Sequence, residues 1–177
     1  ILSSFFPILG KNRRTFSNPW KILPAIALLL HGGAVDAVRI TASDKAAHDY
    51  FGYSTSMAGD VAVAGAYEAS PEGVAVAGAA YVFERNAGGT NAWGQVAKLT
   101  AFDKAMADYF GFSVGVDGDV VLVGSRLADP GGVTDAGAAY VFERNAGGTN
   151  AWGLVAKREA SDAAEGNLFG ASVSVDG

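Results

Sequence analysis

Cysteine is absent from the 177 residues, which excludes disulfides, zinc–thiolate clusters and a thiol nucleophile together. Histidine is almost absent, with only His31 and His48, so imidazole chemistry has little to work with. The two methionines are Met57 and Met106; without an initiator residue, the chain reads as a fragment open at both ends. Charged residues make up only 18%. A long apolar run is also missing: Ile22–Leu30 covers nine residues, whereas a membrane span takes about 20.

That short run has a context of its own. Lys11, Arg13, Arg14 and Lys21 precede it, and small residues follow as far as Val35-Asp36-Ala37. This is the layout of a secretory leader, predicted to cover residues 1–37 with cleavage after Ala37. Arg13-Arg14-Thr15-Phe16 resembles a twin-arginine export signal but lacks the apolar residue that normally follows Phe. From Val38 onward nine Lys and Arg stand against 17 Asp and Glu, so residues 38–177 carry 9 − 17 = −8. Such a surface repels phosphate backbones and anionic lipid, which argues against nucleic-acid partners.

What is abundant is glycine, with 24 residues, in a chain that is half hydrophobic. The composition suits short strands and tight turns. One line is written twice: GAAYVFERNAGGTNAWG spans Gly78–Gly94 and again Gly137–Gly153. The same offset of 59 residues sets Phe51-Gly52, Phe110-Gly111 and Phe169-Gly170 in register and puts Trp93 over Trp152. A period of this size belongs to propellers and other repeat folds. The copies run over 41–99 and 100–158, with a third begun at 159–177.

Each copy carries four strand signals. In copy one these are Phe51–Met57, Val61–Ala66, Ala79–Arg85 and Trp93–Leu99, with a tight turn at Ala58-Gly59-Asp60. Copy two repeats the plan, and Asp117-Gly118 within Val116–Val120 is a hairpin signal. The run Val120–Val123 is apolar on both faces and must be covered on both sides. Tyr81, Phe83 and Arg85 point one way from their strand while Ala80, Val82 and Glu84 point the other, and 140–144 repeat this. The prediction is an all-β fold of β-propeller blades, each of four antiparallel strands, about two and a half of them in 38–177. Trp93 and Trp152, fixed in each blade, are expected to pack, with sugar stacking as the other use of such a ring.

These residues carry a resemblance. Phe51-Gly52 followed by Gly65-Ala66-Tyr67, Phe110-Gly111 followed by Gly124-Ser125-Arg126, and Phe169-Gly170 resemble FG-GAP repeats. Such repeats are the blade units of the integrin α-chain head and of many bacterial exported proteins. The resemblance implies an extracellular binding scaffold. Copy two departs at Ser125 and Arg126, and copy one has Tyr67 where Pro is usual. Integrin-type copies also hold a calcium loop between the two halves of the motif, because Ca²⁺ takes 6 to 8 oxygen ligands. Copy one offers Asp60 alone and copy two Asp117 and Asp119, which leaves these two as calcium candidates against the simpler reading as turn residues. Asp44, Asp49, Asp103 and Asp108 form a second candidate group, read as turn and cap residues of the connections between blades.

No catalytic set or cofactor motif stands out. His48 is replaced by Ala107 and Gly166 in the later copies, and Ala87-Gly88-Gly89-Thr90 lacks the Lys and helix of a phosphate loop. The expected function is therefore an exported scaffold for a protein or glycan ligand, periplasmic, cell-surface or extracellular. Its specificity is expected in the loops 68–77 and 127–136, which differ most between copies. The alternative is an extracellular enzyme on a propeller, a kelch-type oxidase or a polysaccharide-active lyase or hydrolase. Tyr81-Val82-Phe83 followed by Trp93 is similar to kelch blades, although Ala77-Gly78 stands where they carry Gly-Gly.

Overall fold

The computed structural model describes residues 38–176; the expected leader 1–37, with His31, lies outside the described residues. Eight strands follow one another: β1 (Thr55–Ala58), β2 (Val61–Ala66), β3 (Ala79–Arg85), β4 (Trp93–Leu99), β5 (Phe110–Asp117), β6 (Val120–Ser125), β7 (Ala138–Arg144) and β8 (Trp152–Arg158). They form two four-stranded antiparallel sheets in plain chain order, β1-β2-β3-β4 and β5-β6-β7-β8. Each is a propeller blade, and the 59-residue period of the sequence is the period of the sheets.

Strands two, three and four of each blade fall where the alternation and the β-prone residues put them. The first strand of blade one is shorter than its sequence suggests. Phe51 and Gly52 are in a turn, held by Tyr53 N–H donating to the Tyr50 carbonyl at 3.0 Å, and pairing begins only at Thr55. Gly52 is left-handed, with φ 83°, and its N–H donates to the Gly65 carbonyl at 2.8 Å ahead of the first paired residue.

The hairpin turns also differ in phase. Ala58 pairs with Val61 and Asp117 with Val120, so the two-residue turns are Gly59-Asp60 and Gly118-Asp119, not Asp-Gly. Gly59 and Gly118 occupy the first central position with φ 56° and 52°, the place where primed hairpin turns need a positive φ. Asp117 instead closes β5.

Small residues face large ones across the ladder. Ala62 pairs with Phe83 and Ala64 with Tyr81, and in blade two Val121 and Val123 pair with Phe142 and Tyr140. A bulge follows Val82 and Val141, so that Val82 pairs with Ala97 but Phe83 with Gln95, leaving Val96 without an opposite. This is why Val96 and its counterpart Val155 are exposed although both lie in strands.

The two faces of each blade do different work. The Val61, Val63, Ala80 and Val82 face of blade one is buried against the Phe110, Val121, Tyr140 and Phe142 face of blade two. Ile40 and Ala42 cover the corresponding Tyr81 and Phe83 face of blade one. The aromatic face of each blade thus lies against a covering layer that precedes it in the chain. Burying each ring in this way contributes about 2–3 kcal/mol. The other face of blade two, with Val120, Leu122 and Val141, is only half-buried, whereas Val63 at the position of Leu122 is 1% exposed.

Candidate functional site

The residues of the repeated motif meet at the joint between blades. Phe110 N–H donates to the Ala77 carbonyl at 2.9 Å, and Gly78 and Phe110 form a parallel bridge. The Gly111 carbonyl sits so close to Gly65 that a Cβ there would collide with it. Ser54 Oγ donates to that carbonyl at 2.8 Å. The next joint repeats every contact: Phe169 N–H to Ala136 O at 2.8 Å, Ser113 Oγ to Gly170 O at 2.7 Å, and the Gly170 carbonyl against Gly124. The Phe-Gly of one unit therefore sits on the Gly-Ala, or Gly-Ser, of the unit before it. Ala66 is fully buried there. Phe51 meets the Tyr81 and Phe83 rings edge-on at 5.6 and 6.0 Å, and Phe110 meets Tyr140 and Phe142 at 5.3 and 6.1 Å. Phe169 remains 36% exposed.

The tryptophans belong to a clasp. Arg144 lies over the Trp152 ring, 4.9 Å from its centre, and Nε pairs with Asp119 at 2.6 Å while Nη1 reaches Glu84 of blade one at 2.5 Å. Trp152 Nε1 donates to the same Glu84 oxygen at 3.1 Å. Burial works against the Arg144 charge, but Asp119 and Glu84 outweigh it and push its pKa above the ordinary value. Blade one repeats the inner part, with Arg85 over Trp93 at 5.6 Å and paired with Asp60 at 3.0 Å. Asp119 is thus engaged with an arginine, and Asp117 ends a strand. Among the described residues no group of three or more metal-ligating side chains converges.

A second repeated network holds the connections. Tyr140 Oη donates to Asp103 Oδ1 at 2.8 Å, and Lys157 pairs with Asp103 Oδ2 at 2.9 Å. In blade one Lys98 pairs with Asp44 at 2.5 Å beside Tyr81. Burial raises the carboxylate pKa, but the hydrogen bonds from lysine and tyrosine more than offset it, so Asp44 and Asp103 lie below the usual range. The phenols of Tyr81 and Tyr140 move the other way, raised by burial and then by the aspartate they face. Asp49 and Asp108 cap the connection locally, accepting from Ala46 N–H and Ala105 N–H, each at 2.7 Å. Burial pushes the Asp108 carboxyl up.

Around the blade-one network lies a cavity of about 350 Å³, lined among others by His48, Asp49, Glu68, Ser70, Tyr81 and Lys98. Asp44 and Asp49 are committed as above, and Glu68 lies near the Tyr67 phenol, whose ionisation it opposes. His48 has a left-handed backbone, φ 71°, shared by Ala107 at 68° and Gly166 at 75°.

The sequence-variable loops have one backbone. Each contains a single 3-10 turn, Pro71–Gly73 or Pro130–Gly132. Ser70 Oγ accepts from Val76 N–H at 3.1 Å, and Asp129 Oδ1 accepts from Asp135 N–H at 2.7 Å. Both loops also hold the following connection, through Ala75 O to Ala107 N–H and Thr134 O to Gly166 N–H, each 3.1 Å.

At the motif end of the inner strands sits a group the sequence did not flag. Tyr67 contacts Tyr50, Tyr53, Tyr109 and Phe112 with ring centres 5.2, 4.6, 5.2 and 5.7 Å away. Tyr53 also meets Phe112 at 5.1 Å. Arg126 lies over Phe112 at 4.1 Å and Tyr109 at 5.5 Å, its Nε buried without a hydrogen-bond partner. The Tyr67 phenol is pushed up to about 12 by burial and by Glu68. Position 53 and position 112 are one repeat apart, as are 50 and 109, but only the fold shows that both pairs converge on Tyr67.

Two stacked four-stranded meanders joined by glycine contacts define a β-propeller repeat protein. The chain belongs to the FG-GAP repeat family, whose model matches residues 35–83 and 93–142. Comparison with curated proteins gave no match. FG-GAP repeats generally form non-catalytic scaffolds. Among the described residues no helix is long and apolar enough to cross a membrane.

Proposed function

We propose that this chain is an exported, non-enzymatic propeller scaffold that binds a protein or glycan ligand outside the cell, with selectivity set by side chains on the loops 68–77 and 127–136. The observation that carries this reading is that both loops keep one backbone while their side chains change. Glu72 stands where the other has Gly131, and Val76 where it has Asp135. A fixed frame with interchangeable side chains is what a recognition scaffold needs. Export rests on the basic residues, apolar run and small residues of 1–37. No calcium is assigned, because Asp119 is held by Arg144.

Grafting Leu127–Ala136 onto 68–77 tests the selectivity. The graft is expected to melt within about two degrees of the parent and to alter binding across a panel of purified extracellular proteins and polysaccharides. An unchanged binding profile sinks the loop assignment. N-terminal sequencing of product exported from a bacterial host checks the leader; cytosolic protein that retains Ile22–Leu30 rejects it. An enzyme would instead show turnover of the polysaccharides in the same panel.

A further inference from the structure

The connections that lead into the blades share one backbone but not one surface. Positions 48, 107 and 166 are all left-handed (φ 71°, 68° and 75°), and the Ala46–Asp49 and Ala105–Asp108 bonds are each 2.7 Å. Phe102 and Met106 nevertheless stand where copy one has Ser43 and Ala47 and copy three has Ser161 and Glu165. The connection therefore forms without large apolar side chains at these positions. Phe102 meets Tyr140 edge-on at 6.5 Å yet is 68% exposed, and Met106 is 74% exposed, more than any other large hydrophobic residue described.

This exposure does not come from an unfilled neighbouring place in the repeat. The connection lies between two described blades. Blade one holds it through Glu72 to Lys104 at 3.2 Å and Ala75 O to Ala107 N–H at 3.1 Å, and blade two through Tyr140 to Asp103 at 2.8 Å and Leu127 N–H to Asp108 O at 3.2 Å. The connection of the following unit docks on blade two, where Gly166 N–H meets Thr134 O, and so has a seat of its own. Around the pair the charge turned outward is negative. Lys104 and Lys157 are largely covered, whereas the Glu72, Asp103 and Glu159 side chains that pair with them are more open, and Asp129 lies close enough to oppose ionisation of Asp108.

We propose that Phe102 and Met106, framed by Glu72, Asp103, Asp129 and Glu159, form a docking surface for a protein segment that presents apolar side chains beside lysine or arginine. The proposal rests on the scaffold reading above and makes its partner a protein that reaches this part of the rim. A phenyl ring is a rigid anchor and a thioether adapts to what it meets, and both are enriched where proteins touch. Open carboxylates around them favour a basic flank and speed its approach.

Other occupants fit less well. A sugar would find no hydrogen-bonding tip on either side chain, and the lysines beside them are already paired. A second copy of residues 38–177 brings a net charge of 9 − 17 = −8 to an acidic surface, and an anionic lipid surface is repelled in the same way.

Selection of random peptides displayed on phage against the full chain tests the proposal. Enriched sequences are expected to combine leucine, isoleucine, phenylalanine or methionine with lysine or arginine. A synthetic peptide of the most enriched sequence, followed by fluorescence anisotropy, should bind about tenfold more weakly to Phe102→Ser and to Met106→Ala and about threefold more weakly to Glu72→Gln. Its affinity should fall at about 0.5 M salt. The first two changes install the residues of copy one, and thermal melts check that the variants stay folded. No enrichment overturns the proposal, as do enriched sequences that are acidic or lack apolar residues, and binding that survives Phe102→Ser and Met106→Ala together. Tighter binding to laminarin or to phosphatidylglycerol vesicles than to the peptide also overturns it. Peptides that ignore both changes but respond to the loop graft remove this surface and leave the scaffold reading standing.

Discussion

Glu84 and Arg144 face each other across the joint between blades, 60 positions apart in the chain and 2.5 Å apart in space. Their counterparts show what the contact is for. Arg85 has its own Trp93 and Asp60 within blade one, and Glu143 stands exposed on blade two. The pair thus ties one unit to the next, and the inner Arg–Trp contact belongs to the single blade.

Glu84→Ala should therefore destabilise by about 2 kcal/mol, because Arg144 and Trp152 lose a charged acceptor at a half-buried site. Glu143→Ala should change stability by less than about 0.5 kcal/mol. Urea unfolding of the two variants makes the comparison; equal effects would mean that the cross-blade contact contributes nothing.

The glycines of the joint should separate two kinds of cost. Gly65→Ala drives a Cβ into the Gly111 carbonyl and is expected to cost about 3 kcal/mol or prevent folding. Gly73→Ala has open space and only a left-handed φ of 81° to pay for, about 1 kcal/mol. The order of the melting temperatures is the readout, and a reversal would deny the close approach.

Titration should show two edges. Asp44 and Asp103 have folded pKa values below their ordinary ones, so the stability they contribute is present above about pH 4 and is lost as pH falls through the depressed values. Tyr81, Tyr140 and Lys157 are raised, so theirs is complete below about pH 10 and is lost as pH rises beyond it. Tyr140→Phe should cost about 1 kcal/mol at pH 7 and flatten the alkaline edge. Melting curves from pH 3 to 11 test both; an unchanged alkaline slope in the variant contradicts the Tyr140–Asp103 bond.

Calcium at millimolar concentration, set against a chelator, is expected to move the melting temperature by less than about two degrees. Asp119→Ala should cost under about 1 kcal/mol, as its carboxylate is 68% exposed. A rise of several degrees with calcium that vanishes in Asp119→Ala would give Asp117 and Asp119 a metal after all.

Much of the fold was legible because the repeat duplicates every signal. Strands two to four of each unit follow from alternation and flanking turns alone. Phe51 was harder to place, since a Phe-Gly pair before a β-prone run reads as strand, whereas ladder pairing in blade one starts only at Thr55. The Asp-Gly hairpin failed for a related reason: in Val116-Asp117-Gly118-Asp119-Val120 both orders occur, and ladder register decides between them. The Tyr–Asp–Lys network and the rings around Tyr67 were illegible. Their partners lie 37 residues apart for Tyr140 and Asp103, and no local spacing records which side chains a stacked blade brings together.

The joint in which Phe-Gly rests on Gly-Ala has a bearing on how such a chain lengthens. Its closest contacts are carbonyls, amides and missing side chains, so it is nearly blind to the sequence of the unit it receives. A duplicated unit inherits a fit to either neighbour at once, without waiting for compensating substitutions. The 17 identical residues of Gly78–Gly94 and Gly137–Gly153 are compatible with that mode of growth, in which copying comes first and the loops and rim diverge afterwards.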